Sequence, residues 1–323
     1  MKTDNIIKLI SYRCVTVFAV LVSLFSLTAC GSGSSAAISV ASVDVSSSAT
    51  DGRSNATVVL TPVASGNSLL SSDNMTVDIS NASEGYIIIR YSGDSEKTKF
   101  QITGPSQVTY TYNIAASEDV VIPLSSGSGS YMLTAYESIG NDQYAACFSD
   151  EFNVNITNEF GPFLYPNQYV DFNENTKAVT KAKELVSSAS CDLEAVGLIY
   201  DFVINNVTYD QEEAKTVETN YLPDVDEVMD TGKGICFDYA SLMAAMLRSQ
   251  GIPTRLEIGY AKDAYHAWIS VYTKDQGWIG GVIQFDGSNW TLMDPTLASN
   301  SKDISKIKSF IGDGSSYTVK YMY

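Results

Sequence analysis

The stretch Gly232–Ile258 constrains the fold of this chain more than any other part of the sequence. Gly232 and Gly234 give the backbone the freedom for a tight turn, and apolar residues then recur at helical spacing. Pro253 ends the helical pattern, and a strand-like run follows it. The stretch therefore predicts a turn, a helix and a strand, with Cys236 in or next to the first helical turn.

The position of Cys236 favours chemistry at its thiol. Unpaired N–H groups and the positive end of a helix dipole stabilise a thiolate, and the same groups can hold an oxyanion. A thiolate nucleophile also needs a base, and the chain contains one histidine, His266, 30 residues downstream in a strand-like run. Asp294 follows 28 residues later at the end of another such run, before Pro295. The order is Cys, His, Asp.

Four sequence blocks carry a resemblance to a known family. They are Gly-Lys-Gly-Ile-Cys-Phe-Asp-Tyr-Ala at 232–240, Gly-Ile-Pro-Thr-Arg at 251–255, His-Ala-Trp at 266–268 and Trp-Thr-Leu-Met-Asp-Pro-Thr at 290–296. In this order and with these gaps they resemble the transglutaminase-like superfamily of papain-type cysteine enzymes. The resemblance makes Cys236 the nucleophile, His266 the general base and acid, and Asp294 its orienting partner. With a weaker stretch from about residue 165, it covers roughly half of the chain.

The resemblance implies attack on a protein or peptide amide through a thioester acyl-enzyme, with no cofactor. Transfer to water gives proteolysis or deamidation, and transfer to an amine gives a crosslink. The triad serves both outcomes, and similarity to bacterial members favours hydrolysis. Taken singly, a core cysteine, a structural histidine and an Asp-Pro-Thr turn are ordinary features. A peptide-binding or adhesion module without turnover is therefore the alternative.

The amino terminus predicts secretion and a lipid anchor. It carries Lys2, Lys8 and Arg13, then an apolar run at 15–27 that is too short for a comfortable membrane span. Leu-Thr-Ala-Cys at 27–30 resembles the lipobox of bacterial lipoproteins, which makes Cys30 the lipidated first residue of the mature protein. An ordinary signal peptide cut nearby is the alternative. We therefore expect a signal peptide at 1–29, a flexible tether at 30–37 and a location on the outer face of the bacterial cell membrane.

The charge of the chain argues against nucleic acid as a partner. Removal of residues 1–29 takes away three positive charges and one negative charge, so the formal net charge changes from −17 to −19. An acidic surface repels phosphates and anionic membrane surfaces, so the expected membrane link is the lipid alone. One histidine and scattered cysteines also give no zinc ligand set.

Residues 38–158 predict an all-β sandwich of the immunoglobulin or fibronectin type. Short β-like runs separated by Gly, Ser, Asn and Asp, with no amphipathic helix between them, are typical of such a domain. The predicted strands are Ile38–Val45, Thr57–Val63, Met75–Ile79, Tyr86–Tyr91, Lys99–Thr103, Val108–Tyr112, Asp119–Leu124, Tyr131–Glu137 and Phe152–Ile156. A spacer role is favoured over a ligand-binding role.

Residues 159–323 predict an α+β domain with helices packed on an antiparallel sheet. After a linker rich in proline and glycine, the apolar periodicity predicts helices at Thr176–Ala189 and Asp192–Asn205. The acidic segment 211–230 is either a solvated loop or a flap over the cleft. The candidate residues of the cleft wall are Tyr209, Trp268 and Trp278, and core packing is the alternative for both tryptophans.

Two further cysteines of the expected mature chain have no assigned role. If Cys30 carries lipid and Cys236 stays a thiol, Cys147 and Cys191 remain to pair. They fall in different predicted domains, so two free buried thiols are favoured over a bridge.

Overall fold

The first part of the described chain consists of β-strands. The computed structural model describes residues 53–274, 276–280, 283–285, 290–292, 296 and 317–323. Its first eight strands are β1 (Leu69–Ser71), β2 (Met75–Asp78), β3 (Tyr86–Tyr91), β4 (Thr98–Thr103), β5 (Thr109–Ile114), β6 (Asp119–Pro123), β7 (Gly129–Gly140) and β8 (Gln143–Val154). They form two antiparallel sheets with the orders β1-β2-β3-β6 and β5-β4-β7-β8. The predicted all-β region is confirmed.

Alternation along the strands explains why the two sheets share a core. In β5, buried and exposed side chains alternate strictly, so that Tyr110, Tyr112 and Ile114 all point inward. The inner residues of both sheets belong to one hydrophobic cluster, which includes Val77, Ile87, Ile89, Phe100, Ile102 and Leu133. Burial of these side chains on both inner faces is what stabilises a sandwich.

One predicted strand differs from the structure. Thr57–Val63 is not a strand: Val58 forms an isolated bridge with Gln250, and its N–H donates to the carbonyl of Ser249 at 2.8 Å. This segment therefore hydrogen bonds to the helical region instead of to a sandwich sheet. The run Ile38–Val45 lies outside the described residues.

The last two strands of the sandwich are longer than predicted because they form one hairpin. Its turn residues, Asn141 and Asp142, have φ values of 51° and 56°. Two successive residues with positive φ match the right-handed twist of a hairpin, and Asn and Asp tolerate that conformation well. The hairpin lets β7 and β8 pair along most of their length.

The second part of the described chain packs helices on an antiparallel sheet. The helices are α1 (Lys177–Leu185), α2 (Asp192–Asn206), α3 (Glu213–Thr216), α4 (Val225–Thr231) and α5 (Cys236–Arg248). The strands are β9 (Thr208–Tyr209), β10 (Lys233–Gly234), β11 (Thr254–Ala261), β12 (Ala264–Thr273), β13 (Gly277–Gly280), β14 (Ile283–Phe285), β15 (Trp290–Leu292) and β16 (Tyr317–Met322). The main sheet has the order β13-β12-β11-β16, and β14 pairs with β15 as an antiparallel hairpin. The predicted α+β fold is confirmed.

Helix α5 is the centre of this second part. Every residue from Asp238 to Arg248 is buried. The helix packs against β11 and β12 on one side and against α1, α2 and α4 on others. A helix that is apolar nearly all round has to be covered on all sides, which explains why the other elements gather around it.

The two parts share one hydrophobic core. Tyr112 of β5 stacks on Tyr169 with ring centroids 5.6 Å apart and contacts the edge of the Tyr323 ring at 6.0 Å. The described residues from 53 onward group into one compact unit. The change from all-β to α+β structure falls near the predicted boundary at 158/159, and the division into two domains stays a prediction.

Three described cysteines are free. Cys147 of β8 is half-buried, and burial raises the pKa of its thiol, while Cys191 is exposed just before α2. The expectation that both thiols are buried is wrong for Cys191, because its side chain is exposed. Within the described part of the chain, no helix has the length and apolar character needed to cross a bilayer.

Candidate active site

Cys236 is the first residue of helix α5, as the sequence predicts. Ile235, which precedes it, is extended, with φ −93° and ψ −178°. The Cys236 side chain is half-buried and packs against the edge of the hydrophobic core. A thiol at this position lies beside backbone N–H groups of the first helical turn that have no acceptor within the helix. The arrangement suits a thiolate or an oxyanion.

A short parallel strand pair supports the turn before Cys236. Gly234 of β10 pairs with Tyr209 of β9, and the N–H of Asp210 donates to the Gly234 carbonyl at 3.0 Å. Tyr209 is half-buried and packs against the core. The predicted cleft residue Tyr209 therefore lies beside the turn that leads into Cys236.

Steric crowding explains why both of these turn positions carry glycine. Gly232 has φ +63°, and a Cβ there would lie 3.0 Å from the carbonyl oxygen of Asn206. A Cβ on Gly234 would lie 2.6 Å from the Cβ of Asp238. Side chains at these positions would push apart the strand pair and the helix start.

Sequence reasoning missed Asp238 and Tyr221. Asp238 is 1% exposed, and its carboxylate accepts hydrogen bonds from the Ile235 N–H at 2.8 Å and from the Tyr221 hydroxyl at 2.7 Å. Burial raises the pKa of Asp238 to about 6, although both hydrogen bonds act in the opposite direction. An acidic residue at the third helical position, reaching back to the residue before the helix, is a known capping pattern that could have revealed it.

His266 lies in β12, the strand against which α5 packs. Its half-buried ring is 6.2 Å from the ring of Trp268 and 6.5 Å from that of Tyr317. Trp268 is buried and meets Tyr317 edge to face at 5.0 Å. The elements that carry Cys236 and His266 are therefore neighbours, and Trp268 is part of a packed aromatic group.

Tyr265, which precedes His266 in β12, interacts electrostatically with the Cys236 thiol. Partial burial raises the pKa of Tyr265, and Tyr321, Tyr260 and Cys236 raise it further. Successive side chains of a strand point to opposite faces, so Tyr265 and His266 lie on different faces of β12. Contact between the Cys236 thiol and the His266 ring stays a prediction.

Two predicted site residues, Asp294 and Cys30, lie outside the described residues. The third predicted cleft residue, Trp278 of β13, is half-buried. The guanidinium of Arg255 lies 3.6 Å from the centroid of its ring, and Phe163 of the linker meets the ring edge to face at 5.3 Å. Trp278 therefore packs between the sheet and the linker.

Comparison with known families adds to this picture. Residues 179–280 match the model of the transglutaminase-like superfamily. This segment is a transglutaminase-like domain. It runs from α1 to β13 and includes Cys236 and His266. The predicted resemblance is confirmed over these residues.

Two relatives resemble part of this chain. The uncharacterized protein YebA of Bacillus subtilis is 24% identical over 147 residues, which are 39% of this chain and 20% of YebA. The UPF0252 protein MJ1282 of Methanocaldococcus jannaschii is 28% identical over 135 residues, which are 36% of this chain and 38% of that protein. The chain thus spans well under half the length of either relative.

Two solved structures are also similar to this chain. One, from Cytophaga hutchinsonii, is described as a candidate cysteine protease and is 16% identical to this chain. The match covers 71% of this chain and 68% of that chain, with a TM-score of 0.34. The other is the periplasmic domain of TgpA from Pseudomonas aeruginosa, which is 15% identical to this chain. The match covers 71% of this chain and 72% of that chain, with a TM-score of 0.31. TM-scores this low do not establish a common overall arrangement.

Proposed function

We propose that this protein is a transglutaminase-like cysteine enzyme that acts on amide bonds of proteins or peptides. One observation carries the proposal. Cys236 begins a buried helix inside the segment that matches the superfamily, and the chain's single histidine lies in the strand that packs on that helix. Helix starts favour thiolates, and a neighbouring imidazole is the usual base for a catalytic thiol.

In the proposed reaction, His266 takes the proton from the Cys236 thiol. The thiolate attacks the amide carbonyl carbon, and N–H groups of the first α5 turn stabilise the oxyanion. The C–N bond breaks as the imidazolium gives its proton to the leaving amine, which leaves a thioester. Water then attacks the thioester, its proton passes to His266, and the Cys236 thiolate leaves. Asp294 orients the ring and stabilises its charge.

We favour hydrolysis over crosslinking, so the protein acts as a protease or amidase. An amine in place of water would give transamidation by the same steps. We also propose that Cys30 carries lipid and holds the enzyme on the outer face of the bacterial cell membrane. The support for the anchor is the Leu-Thr-Ala-Cys block after a short apolar run.

The alternative function is a peptide-binding module without turnover. In such a module Cys236 would react as an ordinary thiol. The two functions therefore differ in the reactivity of Cys236.

Iodoacetamide labelling, read site by site by mass spectrometry, separates the two functions. The exposed thiol of Cys191 gives an ordinary reference rate in the same molecule. For the enzyme we expect Cys236 to react about tenfold faster than Cys191 at pH 7 and to lose this advantage in His266→Ala. If Cys236 is no faster than Cys191 in either protein, the binding module is the better description.

A second experiment identifies the acyl acceptor. The protein is incubated with a casein mixture and a labelled amine, and the products are read by mass spectrometry. New peptide termini indicate a protease, deamidated glutamines an amidase, and incorporated amine a crosslinking enzyme. Cys236→Ser is the control in which all three products should disappear.

A further inference from the structure

The turn before Cys236 is held from two directions by one carboxylate. The residue before the helix, Ile235, has no side-chain oxygen that could accept from the first helical N–H groups, so the usual cap is missing. Instead Asp238 accepts from the Ile235 N–H at 2.8 Å. Gly234 leaves the space that brings the Asp238 side chain against the turn. Asp238 therefore fixes the backbone from which the Cys236 side chain projects.

Tyr221 holds the other oxygen of the same carboxylate. Its hydroxyl, in the segment between α3 and α4, donates to Asp238 at 2.7 Å across 17 residues of chain. This contact fixes the orientation of the carboxylate and attaches the acidic segment beside the start of α5. A carboxylate bonded at both oxygens has little freedom to rotate.

Keeping the buried carboxylate of Asp238 ionised costs free energy. Burial disfavours ionisation of Asp238, and the nearby carboxylates of Glu213 and Glu227 add repulsion, while the bonds from Ile235 and Tyr221 oppose both effects. A neutral side chain could cap the helix without that cost. Buried ionisable groups held under such conditions cluster at functional sites.

We propose that Asp238 and Tyr221 are positioning residues for the proposed reaction. Together they hold the turn that aims the Cys236 thiol and its backbone N–H at the substrate carbonyl. The inference rests on Cys236 being the nucleophile. A misplacement of about 1 Å at a reacting group can cost on the order of a hundredfold in rate, so a small relaxation of this turn is enough to matter.

The test follows Cys236 alkylation by iodoacetamide between pH 5 and pH 9, with Cys191 in the same molecule as reference. Tyr221→Phe removes one hydrogen bond, Asp238→Asn removes the charge at constant size, and Tyr144→Phe in β8 is the matched control. We expect the ratio of the two alkylation rates to fall about tenfold in the first two variants and to stay constant in the control. Thermal melts verify that each variant is folded.

The pH dependence separates positioning from a merely structural role. In the wild type we expect the rate ratio to change near pH 6, where Asp238 titrates. Since the Tyr221 bond lowers the pKa of Asp238, this change should move to higher pH in Tyr221→Phe, and it should vanish in Asp238→Asn. A lower ratio with the wild-type pH dependence in Tyr221→Phe would overturn the inference.

Two failures can be told apart. If both variants match the wild type in the ratio of alkylation rates and in its pH dependence, Asp238 and Tyr221 are not positioning residues. The proposed function then still stands. If wild-type Cys236 reacts no faster than Cys191, the proposed function itself fails and the inference falls with it.

Discussion

The guanidinium of Arg248 donates a hydrogen bond of 2.7 Å to the backbone carbonyl oxygen of Tyr323. The same group donates to the carbonyls of Tyr165 at 2.8 Å and Thr254 at 2.8 and 3.0 Å. Arg248 is fully buried at the end of α5, and desolvation lowers its pKa to about 9. One side chain thus connects the central helix to the linker, to β11 and to the residue after β16.

Replacement of Arg248 should destabilise the folded protein. In Arg248→Met the buried carbonyls of Tyr165, Thr254 and Tyr323 lose their side-chain donor, so we expect the free energy of unfolding to fall by about 3 kcal/mol or more. Urea unfolding measures the change. The matched control is Arg90→Met, because the ion pair of Arg90 with Asp119 is exposed and its loss should change stability little.

Asp238 should make stability depend on pH. Its pKa is raised from 3.8 to about 6 in the folded state, so the folded protein binds the proton more tightly than the unfolded chain. The stabilising contribution is therefore complete below about pH 4 and is lost as pH rises through 6. Relative to the wild type, Asp238→Asn should gain on the order of 2 kcal/mol between pH 4 and pH 7. Urea unfolding at several pH values measures this; an identical pH dependence in both proteins would contradict it.

Gly232→Ala should disturb the turn before Cys236. At φ +63° a Cβ is strained, and it would also lie 3.0 Å from the Asn206 carbonyl oxygen. We expect a loss of about 1–2 kcal/mol in the free energy of unfolding and slower Cys236 alkylation. Gly127→Ala is the control, because it has φ +81° but open space around the position. Gly127→Ala should lower the free energy of unfolding through backbone strain alone and leave Cys236 alkylation unchanged.

Tyr112→Ala should test whether the shared core makes the two parts unfold together. Tyr112 is 1% exposed and contacts Tyr169 and Tyr323 of the second part. We expect a loss of about 3 kcal/mol or more, and one urea midpoint for tryptophan fluorescence and far-ultraviolet circular dichroism. All three tryptophans lie after residue 260, so their signal reports only the second part. Separate midpoints for the two signals in the wild type would contradict a single cooperative unit.

Local sequence patterns predicted most elements near the site. The helical periodicity after Gly234 and the break before Pro253 predicted α5, and the alternation around His266 predicted β12. Both depend on side-chain spacing within a few residues, which is visible in sequence. The strand predicted at Thr57–Val63 was wrong because its hydrogen-bond partner, the end of α5, is almost 200 residues away.

The sequence by itself determined the elements and the chemistry available to this protein: a cysteine at a helix start, one histidine in a strand, and a segment of the transglutaminase-like type. Only the tertiary structure decided that Tyr221 bonds Asp238 beside Cys236 and that Arg248 bonds the distant carbonyls of Tyr165 and Tyr323. The physical reason is that burial and hydrogen-bond partners come from residues far apart in the chain. Periodicity reports which face of an element is apolar, but it does not report which distant group completes a buried carboxylate or guanidinium.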